Sequence, residues 1–218
     1  MSISISGMSP SMIPNLTESQ LNGLSPLQYG TMSSAQLAAL TTTQLQGIDS
    51  VYISSLSANQ VSALTTTQVA YGLTNAQLVA MNAHAFAAMT SDQVAAMSTS
   101  QLASLSTADI AQLSASALDG LGFNQLEVLT TGDIHAIQTQ TIRSLSTQQI
   151  AWLNTSQIAA LSTADVGALN TSQLAILNSE QGVNLSMDQL AALTPSQISA
   201  LTASVSTSSS STYKVTTS

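Results

Sequence analysis

Two histidines, ten carboxylates and many serines are the residues of this chain whose chemistry could serve a reaction. His84 and His135 lie far apart, and neither has a carboxylate at a spacing that builds an acid–base pair. A metal centre needs three or four convergent donors. The carboxylates are dispersed and contain no D-x-[DN]-x-[DN]-G calcium loop. With no cysteine, disulfides and thiolate sites are excluded. The serines include no G-x-S-x-G elbow. The sequence therefore offers no catalytic, cofactor-binding or metal-ligating residue, and the expectation is a protein that is not an enzyme.

Charge narrows the partners. The formal net charge is -8, charged residues make up 6% of the chain, and the only cations are Arg143 and Lys214. Phosphate backbones and anionic membranes are held by clusters of Lys and Arg, so neither is an expected partner. No run of about 18 apolar residues suggests a transmembrane segment. The opening MSISISGMSPSM has no basic-then-apolar signal pattern.

What positions the serines is a repeat of eight residues. Counted from Ser9 to Leu201 there are 24 consecutive octads, broken once by a single extra residue around Gly72 and Leu73. Position 1 is Ser, Thr, Asn or Asp in 22 of 24 octads, Gly122 and Gln138 being the exceptions, and position 4 is Gln in 16 and Asp in 3. This is a capping box: the first side chain accepts from the N3 amide, and the N3 side chain accepts from the N-cap amide. Position 5 is apolar everywhere except Gly182, and position 8 is apolar throughout. These two form a hydrophobic staple across each helix start. Pro10, Pro26 and Pro195 all fall on the first helical position, where proline is tolerated, and eight of the ten carboxylates sit in positions 1 to 4, at the positive end of the helix dipole.

The predicted fold is all-α: a solenoid of about 24 short capped helices over residues 9–201. One continuous helix is disfavoured because a spacing of eight makes the apolar stripe wander. A β-solenoid is disfavoured by the i, i+3 apolar spacing and by Ala at positions 6 and 7. A seven-residue helix is too short to stand alone, so successive helices must stack; the octad pattern leaves the number of octads per coil open, two being one possible winding. Gly182 is read as a loosened repeat. Residues 1–8 alternate Ser with Ile and are expected to be extended, with a short strand. Residues 202–218 form a Ser/Thr-rich tail with a β-prone finish at Tyr213, Val215, Thr216 and Thr217. Tyr52, Tyr71, Phe86, Phe123 and Trp152 occupy different octad positions and read as packing. Asn15, Asn154, Asn170 and Asn184 stand in N-glycosylation triplets, two of them as N-caps.

The stretch LSTQQIAWLNTSQIAALSTADVGALNTSQLAIL resembles the L-[ST]-T-x-Q-φ-x-A-L octad arrays of large bacterial secreted and surface adhesin-like proteins, a resemblance covering residues 9–201. It implies an extracellular or cell-surface structural role, with export independent of a cleaved Sec signal, and it carries over no catalytic residue. The resulting expectation is a self-associating subunit of an extracellular filament, sheath or surface layer: a homo-oligomer or polymer joined through its termini. The alternative is an adhesin-type module that binds glycan or another surface protein through a repetitive Ser/Thr/Gln face.

Overall fold

Most helices start where a side-chain oxygen captures an amide of the first turn, Ser9, Gly122 and Gln138 being N-caps without such a bond. In the computed structural model, which describes residues 5–211, Thr65 is an extended N-cap (φ -73, ψ 156) whose Oγ1 accepts from Gln68 N at 3.1 Å, while Gln68 Oε1 accepts from Thr65 N at 2.9 Å. Both partners of the box are present at octad after octad, for example at Ser33, Ser98 and Ser186. At Gly122 only half remains: Gln125 Oε1 still accepts from Gly122 N at 3.0 Å.

Before the last one, the helices run from 4 to 7 residues, as in Ala83–Phe86 and Thr66–Gly72. They stop because the next N-cap competes for the chain. The position 8 amide closes a tight turn onto the position 5 carbonyl, as Leu153 N does on Ile150 O at 3.3 Å. Position 8 is itself extended (Leu153 φ -64, ψ 133), and the extended N-cap follows. Positions 5 and 8 thereby face one interior: Leu37 is 1% and Leu40 3% exposed.

The chain forms two compact units, Met1–Gly120 and Leu121–Ser218. In each, a helix packs on the helix three octads later: Thr42–Gln46 on Thr66–Gly72 in the first, Thr139–Ser144 on Thr163–Ala168 in the second. Position 4 side chains reach four octads back, Gln68 to Leu37 and Leu40, Gln157 to Leu126 and Leu129. A coil therefore closes between three and four octads, a number the octad pattern left open and larger than the two-octad winding. Seven-residue helices turning sharply at every N-cap cannot reverse the chain in one step, so more corners are needed per turn.

Three local expectations change. Residues 5–8 form a tight turn, with Met8 N on Ile5 O at 3.1 Å and Gly7 at φ 82; residues 1–4 lie outside the described residues. Ile5 is 1% exposed and, with Met8, holds octad positions 5 and 8, so this segment enters the array as one more rung. At the other end, helix Pro195–Ser211 runs 17 residues, through the expected tail boundary at 202. The β-prone residues 213–217 lie outside the described residues. Gly182, finally, marks a tight contact. It is buried, and a Cβ there would lie 2.6 Å from Val205 Cγ2. The long last helix packs on Ser179–Val183 where any larger side chain would stand.

The extra residue near Gly72 is absorbed as additional helix, closed by Leu73 N on Gln68 O at 2.9 Å, a wide i to i-5 turn. Pro14 inside the first octad leaves Pro10–Asn15 as a 3-10 helix, because proline cannot donate to the ladder. Among the described residues no helix is long and apolar enough to cross a membrane.

Candidate functional site

The recurring polar constellation in this molecule is a buried row of glutamine amides. Gln157 is 1% exposed. Its Oε1 accepts from Asn154 N at 2.9 Å, and its Nε2 donates to Leu126 O at 2.7 Å and Leu129 O at 2.8 Å. One carbonyl and both N–H groups are thus used, which is the full complement of donors in a primary amide. The two accepted carbonyls belong to the end of a helix four octads back, where the last carbonyls have no intrahelical partner. The same arrangement recurs at Gln44, Gln68, Gln93 and Gln101 in the first unit. In the second unit Gln173, Gln189 and Gln197 make a variant of it, donating to the position 6 carbonyls of Arg143, Ala159 and Gly167 and to the position 8 carbonyls of Leu145, Leu161 and Leu169.

The one-residue insertion leaves this row intact. Gln77 donates to Leu45 O and Ile48 O, both at 2.7 Å, over separations of 32 and 29 residues instead of 31 and 28. Where position 4 is Ala85, the N-cap takes over: Asn82 Nδ2 donates to Ser54 O at 3.0 Å and Leu56 O at 2.9 Å. Asp165 keeps the cap and changes the link, accepting from Ser162 N at 2.8 Å, Ser162 Oγ at 2.6 Å and Thr139 Oγ1 at 2.6 Å while 2% exposed.

Capping was legible in the sequence; the second role of the glutamine was not. A signal for it exists. An N3 cap tolerates Glu and Gln alike, yet position 4 holds 16 Gln and no Glu. Only the amide supplies donors, so this bias marks a carbonyl waiting nearby. The buried position 4 amides are withdrawn from the surface, whereas Gln46, Gln112 and Gln148 lie exposed beside the Ser and Thr residues.

The other candidate residues are separate. His84 is exposed in the first unit. His135 is exposed in the second, its Nδ1 3.2 Å from Ala160 O. Among the described residues no group of three or more His, Cys, Asp or Glu converges for a metal. The N-cap asparagines of two glycosylation triplets are engaged, Asn154 Oδ1 with Gln157 N and Asn170 Oδ1 with Gln173 N, each at 2.9 Å.

Aromatic residues divide by unit. Tyr29 is buried and stacked on Tyr52, ring centroids 4.8 Å apart, with its hydroxyl unpartnered. Burial, and then the neighbouring Tyr52, push that hydroxyl's pKa well above the usual tyrosine value. Tyr71, 70% exposed, borders a shallow cleft of about 240 Å³ with Thr66, Thr67, Ala70 and Ala96. In the second unit Phe123, 47% exposed, meets Trp152 edge to face at 6.2 Å.

The ALTTAQ repeat family model matches residues 72–107, 128–163 and 158–194. These stretches are similar to that repeat family, and the matched region lies wholly within the octad array. No curated protein matches the chain.

Proposed function

We propose that this repeat protein is a structural subunit that associates with copies of itself to build an extracellular filament, sheath or surface layer. The observation that carries the reading is where the recurring polar groups go. N-cap hydroxyls, position 4 amides and helix-end carbonyls satisfy one another inside the fold, so the repeat is devoted to holding coil on coil. The outside is a hydroxyl-rich surface of a chain with 6% charged residues, on which little electrostatic repulsion opposes association. Exposed Val183 and Met187, at 72% and 82%, add apolar area for contact. Negative-stain electron microscopy and light scattering over a concentration series test it. Regular polymers support the reading; a chain that stays monomeric at high concentration, across pH and salt, defeats it.

A second reading, a glycan- or protein-binding module, is favoured by one feature: the exposed edge of Phe123 and Trp152. Aromatic faces stack on apolar ligand surfaces. Ile176 holds the same octad position as Trp152, three octads later, and is 46% exposed. Binding of one glycan class on an array, lost in Phe123→Ala, would promote this reading over the first.

A further inference from the structure

The array breaks its period of eight once, within residues 65–73, and the same stretch carries the most exposed aromatic ring among the described residues. Insertions in repeat arrays fall on one face, often the face that binds. Tyr71 is 70% exposed, whereas Trp152, at the same octad position in the second unit, is half-buried and meets Phe123. The backbone behind Tyr71 is held in place. Gln46 Nε2 donates to Tyr71 O at 2.6 Å, and the extra residue, Gly72, is buried beside Leu45.

Next to the ring lies the cleft of about 240 Å³, between the packed helices Thr66–Gly72 and Ser91–Ala96. Tyr71, Ala70 and Ala96 supply its apolar part. The hydroxyls of Thr66, Thr67 and Tyr71 bond to no described residue, unlike that of Thr65, which caps the helix. Unengaged hydroxyls beside an open aromatic ring suit a ligand with one C–H face and a rim of hydroxyls, which is the chemistry of a pyranose. The volume is below the roughly 300–1,000 Å³ of sites for drug-sized ligands. One sugar ring therefore fills the cleft, and the rest of a glycan extends into solvent. Charge selects further: residues 1–120 contain no Lys or Arg, and Asp92 stands exposed on the helix that supplies Ala96. An anionic sugar finds no charged donor in this unit.

We infer that Tyr71, Thr66 and Thr67 hold one neutral pyranose ring of a glycan, its C–H face on the tyrosine ring and its hydroxyls on the two threonines. The site lies in the first unit, whereas Phe123 and Trp152 lie in the second, and it requires no self-association.

Saturation-transfer NMR on the full-length chain tests this, with methyl β-D-glucopyranoside as the probe because its equatorial hydroxyls leave a C–H face. Transfer should be strongest at the axial ring protons. Tyr71→Ala, checked by circular dichroism, should bind about tenfold more weakly, the upper range of an aromatic contact. Tyr71→Phe keeps the ring and should recover most of that loss. Thr66→Val combined with Thr67→Val should also cost about tenfold, the effect of two hydrogen bonds. The matching glucuronide should bind more weakly than the glucoside. No transfer from the wild type, transfer unchanged in Tyr71→Ala, or a glucuronide bound better than the glucoside would each overturn the assignment. Transfer lost in Phe123→Ala and kept in Tyr71→Ala would overturn this site and support the second reading above.

Discussion

Residues 154–161 and 202–209 are both eight residues long and both open on a side chain able to cap a helix, yet they fold differently. Asn154 caps Thr155–Ala160, and the helix is over in 6 residues. Thr202 instead donates its hydroxyl back to Ile198 O at 3.0 Å and Ser199 O at 3.1 Å, and the helix runs through to Ser211. The two segments differ at position 4, Gln157 against Val205. A hydroxyl can equally bond backwards inside a helix. Most octads add a second group that holds the N-cap amide and is itself anchored to a neighbouring coil, although the chain also breaks at Ser114, whose position 4 is Ala117.

The strongest way to break that comparison is Gln157→Glu. The cap acceptor survives, but both donors are lost and a charge is buried among carbonyls. Stability should fall by about 3–5 kcal/mol, the cost of an uncompensated buried charge, read as a lower urea midpoint. The folded site favours the neutral form of the introduced carboxyl and so raises its pKa above the unfolded value. The loss should therefore shrink below about pH 4 and be complete at neutral pH.

Next in size is Gly182→Leu. Val205 occupies the space, and overpacking of this kind costs roughly 1–3 kcal/mol. Hydrogen exchange should show residues 202–211 losing protection first, before the coils beneath. Were the whole second unit to lose protection together, the last helix would be an integral rung and not a cover. Val205→Gln sharpens the comparison from the other side by restoring a capping box at Thr202. Its stability change should stay near or below about 1 kcal/mol, the size of one cap. NMR shifts of Thr202 should move from helical to extended; unchanged shifts would show that position 4 is not what decides.

The smallest effect concerns a buried polar group without partners. Gln157 has three bonds, Tyr29 Oη none. Tyr29→Phe should therefore be neutral or stabilising by less than about 1 kcal/mol, because nothing is left unpaired when the hydroxyl goes. The hydroxyl's folded pKa is raised above its unfolded value of 10.0, so this group's contribution is full below that value and is lost as pH rises toward the folded one. In an alkaline absorbance titration one tyrosine should ionise late or only on unfolding, and that component should vanish in the variant.

The capped helices were legible because their determinants are local: a Ser or Thr, a Gln three residues on, and apolar residues at positions 5 and 8. Winding was not. It depends on which carbonyl Gln68 Nε2 finds 28 and 31 residues away, a distance over which octad periodicity is silent, since every octad looks alike. The misreading of Gly182 has the same origin. A missing side chain suggests looseness until the residue that fills its space, Val205, is placed beside it. Ile5 and Met8 were in register with the octads all along, but the Ser–Ile alternation in front of them spoke for a strand.

The wide turn at Gly72 carries a consequence for how such a chain could change its length. One extra residue required a local accommodation: a lengthened helix, and a glycine whose Cβ would stand 3.0 Å from Leu45 Cδ2. Eight extra residues would require none. Every amide downstream of an inserted octad would find carbonyls chemically identical to those it had before, displaced by one unit. Duplications and deletions in multiples of eight should therefore pass almost unnoticed by the fold, whereas other lengths must each be repaired on the spot. An array of this kind is quantised in its tolerance, and its size is a quantity that recombination can adjust without redesigning a single contact.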